Sequence, residues 1–187
     1  MAVAQRMSEQ AYQEFVLSGV EGRWELHDGQ LVEKLGMSWE HDDLAERLGY
    51  LLRHQLDRAE FRVRVNGGRV RKSDNTVFMP NVMVVPTAYG QEFRGRPGIL
   101  AIFAGPLPLV VEVWSRSTGN DDIDSKLPIY QQRGDLEIWR IHPYERTLTS
   151  WQRQPDGSYR ETLHRDGMNE PIALPGVTID LAELFAV

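Results

Sequence analysis

The sequence predicts one α/β domain, in the α+β sense, with a mixed central sheet, flanking helices and additional β-hairpins. Three observations predict it. A nearly continuous apolar run from Leu107 to Trp114 is typical of a strand buried on both faces. Leucines from Leu44 to Leu56 recur every three or four residues and indicate an amphipathic helix. Asp28-Gly29 and Asp156-Gly157 separate alternating segments and favour tight hairpin turns.

The composition is that of an ordinary globular protein and shows no break that would divide the chain. Hydrophobic residues make up 41% and charged residues 26% of the 187 residues, which argues against a disordered or fibrous class. We therefore expect a single domain over residues 1–187, with residues 1–6 frayed because they carry no pattern.

Cysteine, apolar runs and net charge exclude several classes of function. The chain has no cysteine, so disulfides, thiolate nucleophiles, cysteine zinc sites and iron–sulfur clusters are excluded. No apolar run approaches the roughly 20 residues of a membrane span, and no signal-peptide core is seen, so we expect a cytoplasmic protein without membrane contact. The net charge of −6 disfavours coating of nucleic acid by bulk electrostatics, so any DNA contact is expected to be local.

The first third of the chain predicts two helices separated by a hairpin. Ser8 is a candidate N-cap for a helix with apolar residues at helical spacing. Trp24 to Glu33 alternates about Asp28-Gly29 and predicts a hairpin with a type I′ turn. Ser38 is a candidate N-cap for the leucine-rich helix, whose opening acids suit the positive end of the helix dipole.

An arginine-rich segment from Phe61 to Lys72 predicts a second hairpin about Asn66-Gly67. Its register would place Arg64 opposite Arg69 and Arg62 opposite Arg71, and like charges in direct opposition are destabilising unless solvated or given an anion. No acid within the segment neutralises them. Two interpretations remain open: a solvated basic face, and a ribbon in which these arginines contact DNA phosphates.

The remainder of the chain predicts alternating strands and helices. Val77 to Pro86 and Leu107 to Trp114 are predicted strands, with a loop from Gly90 to Gly105 between them. Asp122, Lys126 and Tyr130 recur every four residues and share one face of a predicted helix. The last predicted elements are a strand from Leu136 to Ile141, a hairpin from Thr147 to His164 and a terminal helix from Leu181 to Phe185.

Glu112 is the most informative residue for chemistry, since a carboxylate inside an apolar strand must find a partner or take up a proton. Alternation in the strand around Asn81 allows neighbouring strands to present Asn81 and Glu112 at one level, with Lys126 arriving from the next helix. Such a group suits a hard cation such as Mg²⁺ beside a lysine that stabilises charge on phosphate. The alternative is a structural ion pair between Glu112 and Lys126.

A set of short motifs in a fixed order, covering residues 7–186, resembles the Uma-two family. The motifs are Trp24 to Glu33, Glu40-His41, Pro80 to Val85, Leu109 to Ser115, Ser117-Thr118, Asp122, Lys126, Tyr130, Gly134, Glu137 to Pro143, Pro155 to Gly157, Leu174 to Val177 and Leu181 to Phe185. Each motif alone is weakly specific, whereas the ordered set is specific.

The resemblance implies a restriction-endonuclease-like core of the PD-(D/E)XK superfamily and metal-dependent hydrolysis of DNA. It implies Mg²⁺ or Mn²⁺ bound at positions 81 and 112, with Lys126 as the catalytic lysine. Glu40, His41, Asp122 and Tyr130 are additional candidates for the site.

This chain departs from the family pattern at position 81, where Asn81 replaces a metal-binding acid. An amide retains an oxygen ligand but no negative charge, so weak metal binding and reduced or absent cleavage are expected. The alternative function is a degenerate nuclease fold that binds nucleic acid or a protein without cutting. A protein-interaction module using Trp39, Tyr89 or Trp151 is a third hypothesis, and the oligomeric state, a homodimer included, is left open.

Overall fold

A computed structural model describes residues 6–34, 37–116 and 121–186, with the side chains of residues 121–123 outside the description. In this part of the chain the helices are α1 (Glu9–Leu17), α2 (Trp39–Gln55), α3 (Asp121–Arg133) and α4 (Leu181–Leu184). The strands are β1 (Trp24–His27), β2 (Gln30–Glu33), β3 (Phe61–Val65), β4 (Arg69–Ser73), β5 (Thr76–Phe78), β6 (Val82–Pro86), β7 (Ile102–Phe103), β8 (Leu109–Val113), β9 (Glu137–His142), β10 (Thr147–Arg153), β11 (Tyr159–His164), β12 (Met168–Asn169) and β13 (Ile179–Asp180).

Two mixed sheets carry the fold. The smaller sheet has the order β2-β1-β5-β4-β7, and the larger one has the order β11-β10-β9-β8-β6-β3. Pairing is antiparallel except for the parallel pairs β4–β7 and β8–β9. The predicted mixed α+β class is therefore confirmed, with β8 central in the larger sheet and all five of its residues buried.

The larger sheet is apolar on both faces, which explains why β8 lacks polar alternation. Leucines of α2 pack with Val82, Val111 and Trp139 on one face. The cluster on the other face contains Met83 of β6, Val110 of β8 and Tyr130 of α3. Side chains alternate along a strand, so Glu112 falls on the same face as Val110 and is directed toward the α3 side.

The predicted arginine hairpin is wrong. β3 pairs with β6 in the larger sheet, while β4 pairs with β5 and β7 in the smaller one. Arg62 lies opposite Val85 and Arg64 opposite Met83, whereas Arg71 lies opposite Val77. After Asn66 the chain crosses between sheets, because Phe61, Val63 and Val65 pack on the α2 core and Val70 packs in the other cluster.

The chain passes close to the larger sheet at Gly68. A β-carbon there would meet the end of the Met83 side chain, which would have to move to make room. Asn66 has a positive φ of 50° and its backbone N–H donates to the Asn81 carbonyl at 2.8 Å. The Asn66-Gly67 signal therefore marks a sharp bend and not a hairpin.

Other predictions are confirmed or refined. Ser8 and Ser38 cap α1 and α2 as expected, and both the β1–β2 and β10–β11 hairpins form. The predicted strand Val77 to Pro86 is two strands that join the two sheets through residues 79–81. The predicted loop Gly90 to Gly105 contains most of a 3-10 helix, Thr87–Phe93, and β7.

Residues 1–5 and the Ser117-Thr118 motif lie outside the described residues. Among the helices of the described segments, none combines the length and apolar character that crossing a membrane requires.

Candidate functional site

The predicted residues meet in a buried polar cluster where the two sheets approach each other. β8 supplies Glu112, α3 supplies Lys126 and Tyr130, and the link between β5 and β6 supplies Asn81. Val82 pairs with Val111, so Asn81, the residue before β6, lies beside Glu112 of the neighbouring strand β8. The structure therefore brings Asn81, Glu112 and Lys126 into one region.

Glu112 is surrounded by donors although it is only 3% exposed. The Tyr130 hydroxyl donates to its Oε1 at 2.5 Å, and the Lys126 ammonium lies 3.5 Å from the same oxygen. The Lys34 ammonium lies 3.7 Å from Oε2. Two cations and a hydroxyl in a buried setting favour the ionised carboxylate.

A second carboxylate, Glu25 of β1, shares Lys126 with Glu112. Its Oε1 accepts a hydrogen bond from Lys126 Nζ at 2.9 Å and one from the Met79 backbone N–H at 2.7 Å. His27 Nε2 lies 2.8 Å from Oε2. Burial alone would raise the pKa of Glu25, but Lys126, the His27 hydrogen bond and Lys34 together hold that pKa below its ordinary value.

Lys34 completes the cluster from the residue that follows β2. Its ammonium donates to the Met79 carbonyl at 2.6 Å, and the residue is 8% exposed. Neither Lys34 nor Glu25 was predicted from the sequence as a site residue. Glu25 is one of three acids in the Trp24 to Glu33 motif, so that motif was a usable signal, whereas no pattern marked Lys34.

Asn81 is fixed by two hydrogen bonds and is 1% exposed. Its Oδ1 accepts from the Val113 N–H at 2.9 Å, and its Nδ2 donates to Asn66 Oδ1 at 3.1 Å. The amide is matched to these partners, since an aspartate would set a carboxylate oxygen against the Asn66 carbonyl oxygen unless that amide rotated.

The additional candidates divide between the cluster and the surface. His41, 1% exposed, hydrogen-bonds the Val113 backbone, and burial lowers the pKa of its imidazole. Glu40 is exposed, and its carboxylate accepts a hydrogen bond of 3.3 Å from the Tyr144 hydroxyl. The Asp122 side chain lies outside the described residues, and its role stays a prediction.

The family assignment follows from a match along most of the chain. The model of the Uma2 family, described as "Putative restriction endonuclease", matches residues 10–182. The chain belongs to the Uma2 family. No curated protein sequence matches it.

A solved structure similar to this Uma2 protein is described as a putative nuclease belonging to DUF820 from Anabaena variabilis ATCC 29413. It aligns with 96% of this chain and 97% of its own length, with a TM-score of 0.74 and 13% sequence identity. This similarity confirms the nuclease-like fold predicted from the motifs.

The described side chains of the cluster are a poor fit for Mg²⁺. Both carboxylates contact an ammonium group, and the Asn81 oxygen accepts a backbone N–H. Among the described residues no group of three or more histidine or acidic side chains is arranged to hold a metal ion. Hard divalent cations bind through several oxygen ligands, and this donor set offers them lysine instead. Magnesium and manganese stay predictions from the sequence.

Proposed function

We propose that this Uma2 protein acts on nucleic acid by binding DNA, without metal-dependent cleavage of the phosphodiester. Membership of a family described as restriction endonucleases supports DNA as the ligand. The absence of metal-dependent cleavage is supported by one observation, the pairing of Glu25 and Glu112 with Lys126 and Lys34. The degenerate-nuclease alternative raised by Asn81 therefore becomes the favoured function.

Charge makes the paired state unfavourable for a divalent cation. Two unit charges about 4 Å apart interact by about 4 kcal/mol at an effective dielectric constant of about 20, and the repulsion doubles for a divalent ion. A cation beside Glu112 would meet Lys126 on one carboxylate oxygen and Lys34 on the other. Binding would require at least one lysine to leave a buried position that already satisfies it.

Access supports the same conclusion. Glu25, Glu112 and Lys126 are each at most 3% exposed, so a phosphate group does not reach them in this arrangement. Contact with DNA would instead use the arginines on the surface of the sheets. A metal-dependent endonuclease is the second candidate, favoured by the 3.5 Å approach of Lys126 to Glu112 in the positions that the resemblance implies.

The test compares four proteins for cleavage of supercoiled plasmid and single-stranded DNA with Mg²⁺ or Mn²⁺: wild type, Asn81→Asp, Lys34→Met and the double variant. We expect DNA binding by fluorescence anisotropy but no cleavage by wild type. Cleavage is expected in the double variant, because a carboxylate returns at position 81 and one of the two ammonium groups beside Glu112, that of Lys34, is removed. Mn²⁺ binding by calorimetry should appear in the same variant.

Lys72→Met is the matched control, because Lys72 is an exposed lysine of β4 outside the cluster. Adding Lys126→Ala to the double variant should abolish any cleavage gained. Cleavage by wild type that chelation stops would favour the endonuclease candidate. Absence of DNA binding by wild type would contradict the proposed function outright.

A further inference from the structure

We propose that a surface cavity between the end of α2 and strand β3 binds phosphate groups, and that these belong to the DNA backbone. This rests on the proposed function, which it deepens by assigning the contact to one surface. The cavity has a volume of about 220 Å³, several times the roughly 30 Å³ that a water molecule occupies in the liquid. Its lining consists of Arg53, Leu56, Arg58, Phe61, Arg62, Val63 and Arg64.

Four of these seven residues are arginines, and no carboxylate is among the described residues that line the cavity. Arg53 lies 3.9 Å from Glu46, a long contact between two side chains about half exposed. The ion pairs found in the described segments include none with Arg58, Arg62 or Arg64. The concave surface therefore concentrates positive charge in a protein whose net charge is −6.

Features that oppose an anion here include the helix dipole of α2 and the existing hydrogen bonds of Arg62. The C-terminal end of α2 carries about half a unit of negative charge from the helix dipole. Arg62 also uses its Nη1 for two bonds of 3.1 Å, to the Thr87 hydroxyl and the Phe61 carbonyl. These two hydrogen bonds fix the position of the Arg62 guanidinium at the cavity wall.

The apolar part of the lining strengthens the case. Phe61 and Val63 pack against the α2 core, so they form a rigid wall beside the charges. Charge–charge attraction is stronger near such low-dielectric surfaces than in open water. Arginine presents a planar fork of donors that matches phosphate oxygens in bidentate geometry.

Position in the fold connects this cavity to the buried cluster. β3 is an edge strand of the larger sheet, and Asn66, the residue after it, contacts Asn81. Arg64 is two residues before Asn66, or about 7 Å along an extended strand, and Arg62 is about 13 Å away. A strand of DNA following β3 would run toward the position where the Uma2 family is expected to cut.

The other two arginines predicted to bind DNA are used differently. Arg69 Nε donates to the Tyr12 hydroxyl at 3.0 Å, and Arg71 forms an ion pair with Glu9 at 3.1 Å. Both therefore hold α1 against the smaller sheet. The predicted four-arginine ribbon is replaced by a cavity that keeps Arg62 and Arg64 and adds Arg53 and Arg58.

The experiment measures binding of a fluorescent duplex and of single-stranded DNA across a salt series. It compares wild type with Arg58→Gln/Arg64→Gln, and with Lys72→Gln/Arg94→Gln as a control. All four side chains are exposed, so both double variants should retain the wild-type unfolding temperature. The cavity variant should bind duplex roughly tenfold more weakly, and its salt slope should fall by about 2, since each phosphate contact contributes about 0.9.

The outcomes separate this inference from the proposed function. The cavity assignment would be overturned if the cavity and control variants lost DNA affinity equally, or if neither lost any. DNA binding by wild type would stand in both cases. If wild type binds pyrophosphate but no DNA, and the cavity variant loses pyrophosphate, the phosphate site is supported and DNA as its source is overturned. Absence of both pyrophosphate and DNA binding would overturn both proposals.

Discussion

At the scale of single residues, His41 connects burial to the response of the protein to pH. Burial lowers the pKa of its imidazole, with Lys34 acting in the same direction and Asp42 in the opposite one. The folded protein therefore holds His41 neutral at a pH where the unfolded chain, with a histidine pKa near 6.5, takes up a proton. Stability from this residue is present above about pH 6.5 and is lost as the pH falls through the lowered folded pKa.

We expect wild type to lose up to about 1.4 kcal/mol of unfolding free energy per pH unit as the pH falls below about 6.5. His41→Gln should flatten this dependence, although it is less stable at pH 7.5. Urea denaturation at pH 7.5, 6.5 and 5.5 measures this pH dependence of the unfolding free energy. His54→Gln is the control, because His54 is exposed on the same helix. An unchanged slope in His41→Gln would contradict the assignment.

Residues of the site differ in how far the sequence reveals them. Glu112 is visible because an acid interrupts an apolar strand, and Lys126 and Tyr130 are visible because they share one helix face. Lys34 is not, since a lysine after a hairpin is ordinarily solvated and only the tertiary fold places it 2.6 Å from the Met79 carbonyl. The pairing that most affects the proposed function therefore arises from a contact between distant parts of the chain.

At the scale of elements, Arg133 connects the end of α3 to the smaller sheet through hydrogen bonds. Its guanidinium donates to the carbonyls of Phe103 at 3.0 Å and Gly105 at 2.8 Å, and also to that of Arg71. Its Nε lies 3.0 Å from Asp135, and both side chains are at most 1% exposed. One planar group thus satisfies carbonyls from β4 and β7 together with a buried carboxylate.

We expect Arg133→Lys to lower the unfolding free energy by about 3 kcal/mol or more. Lysine keeps the charge but lacks the planar fork, so buried carbonyls lose donors and Asp135 loses its bidentate partner. Urea denaturation measures the change, with Arg153→Lys as a control at an exposed arginine. A change below about 0.5 kcal/mol, the size typical of surface substitutions, would show that Arg133 does not fasten these elements.

Elements also show where local sequence signals fail. Apolar periodicity located α1 and α2, and the four-residue spacing of Asp122, Lys126 and Tyr130 located α3. Asn66-Gly67 predicted a hairpin, since the signal describes only the bend and not the partners of the flanking strands. Packing decides the partners here: Val63 belongs to one core cluster and Val70 to another, so β3 and β4 join different sheets.

At the scale of the whole molecule, the buried charges join the two sheets and α3. Glu25 and Lys34 come from the region of β1 and β2 in the smaller sheet, Glu112 from β8 in the larger one and Lys126 from α3. Within the described residues the cluster contains two glutamates and two lysines in contact. The free energy of unfolding should depend on the balance of these four charges more than on any single contact, because an unmatched charge in a buried site is strongly destabilising.

A double-mutant cycle tests this balance with Glu25→Gln and Lys126→Met, both close in shape to the native side chains. Glu25→Gln leaves two lysines beside one glutamate, and Lys126→Met leaves two glutamates beside one lysine. Each change should therefore lower the free energy of unfolding by about 3–5 kcal/mol. The combined variant restores one glutamate to one lysine, Glu112 and Lys34. We therefore expect its loss of unfolding free energy, measured in urea, to be at least 2 kcal/mol smaller than the sum of the two. Additive losses would mean that Glu25 and Lys126 act independently, and the paired cluster would no longer explain why a divalent cation is disfavoured.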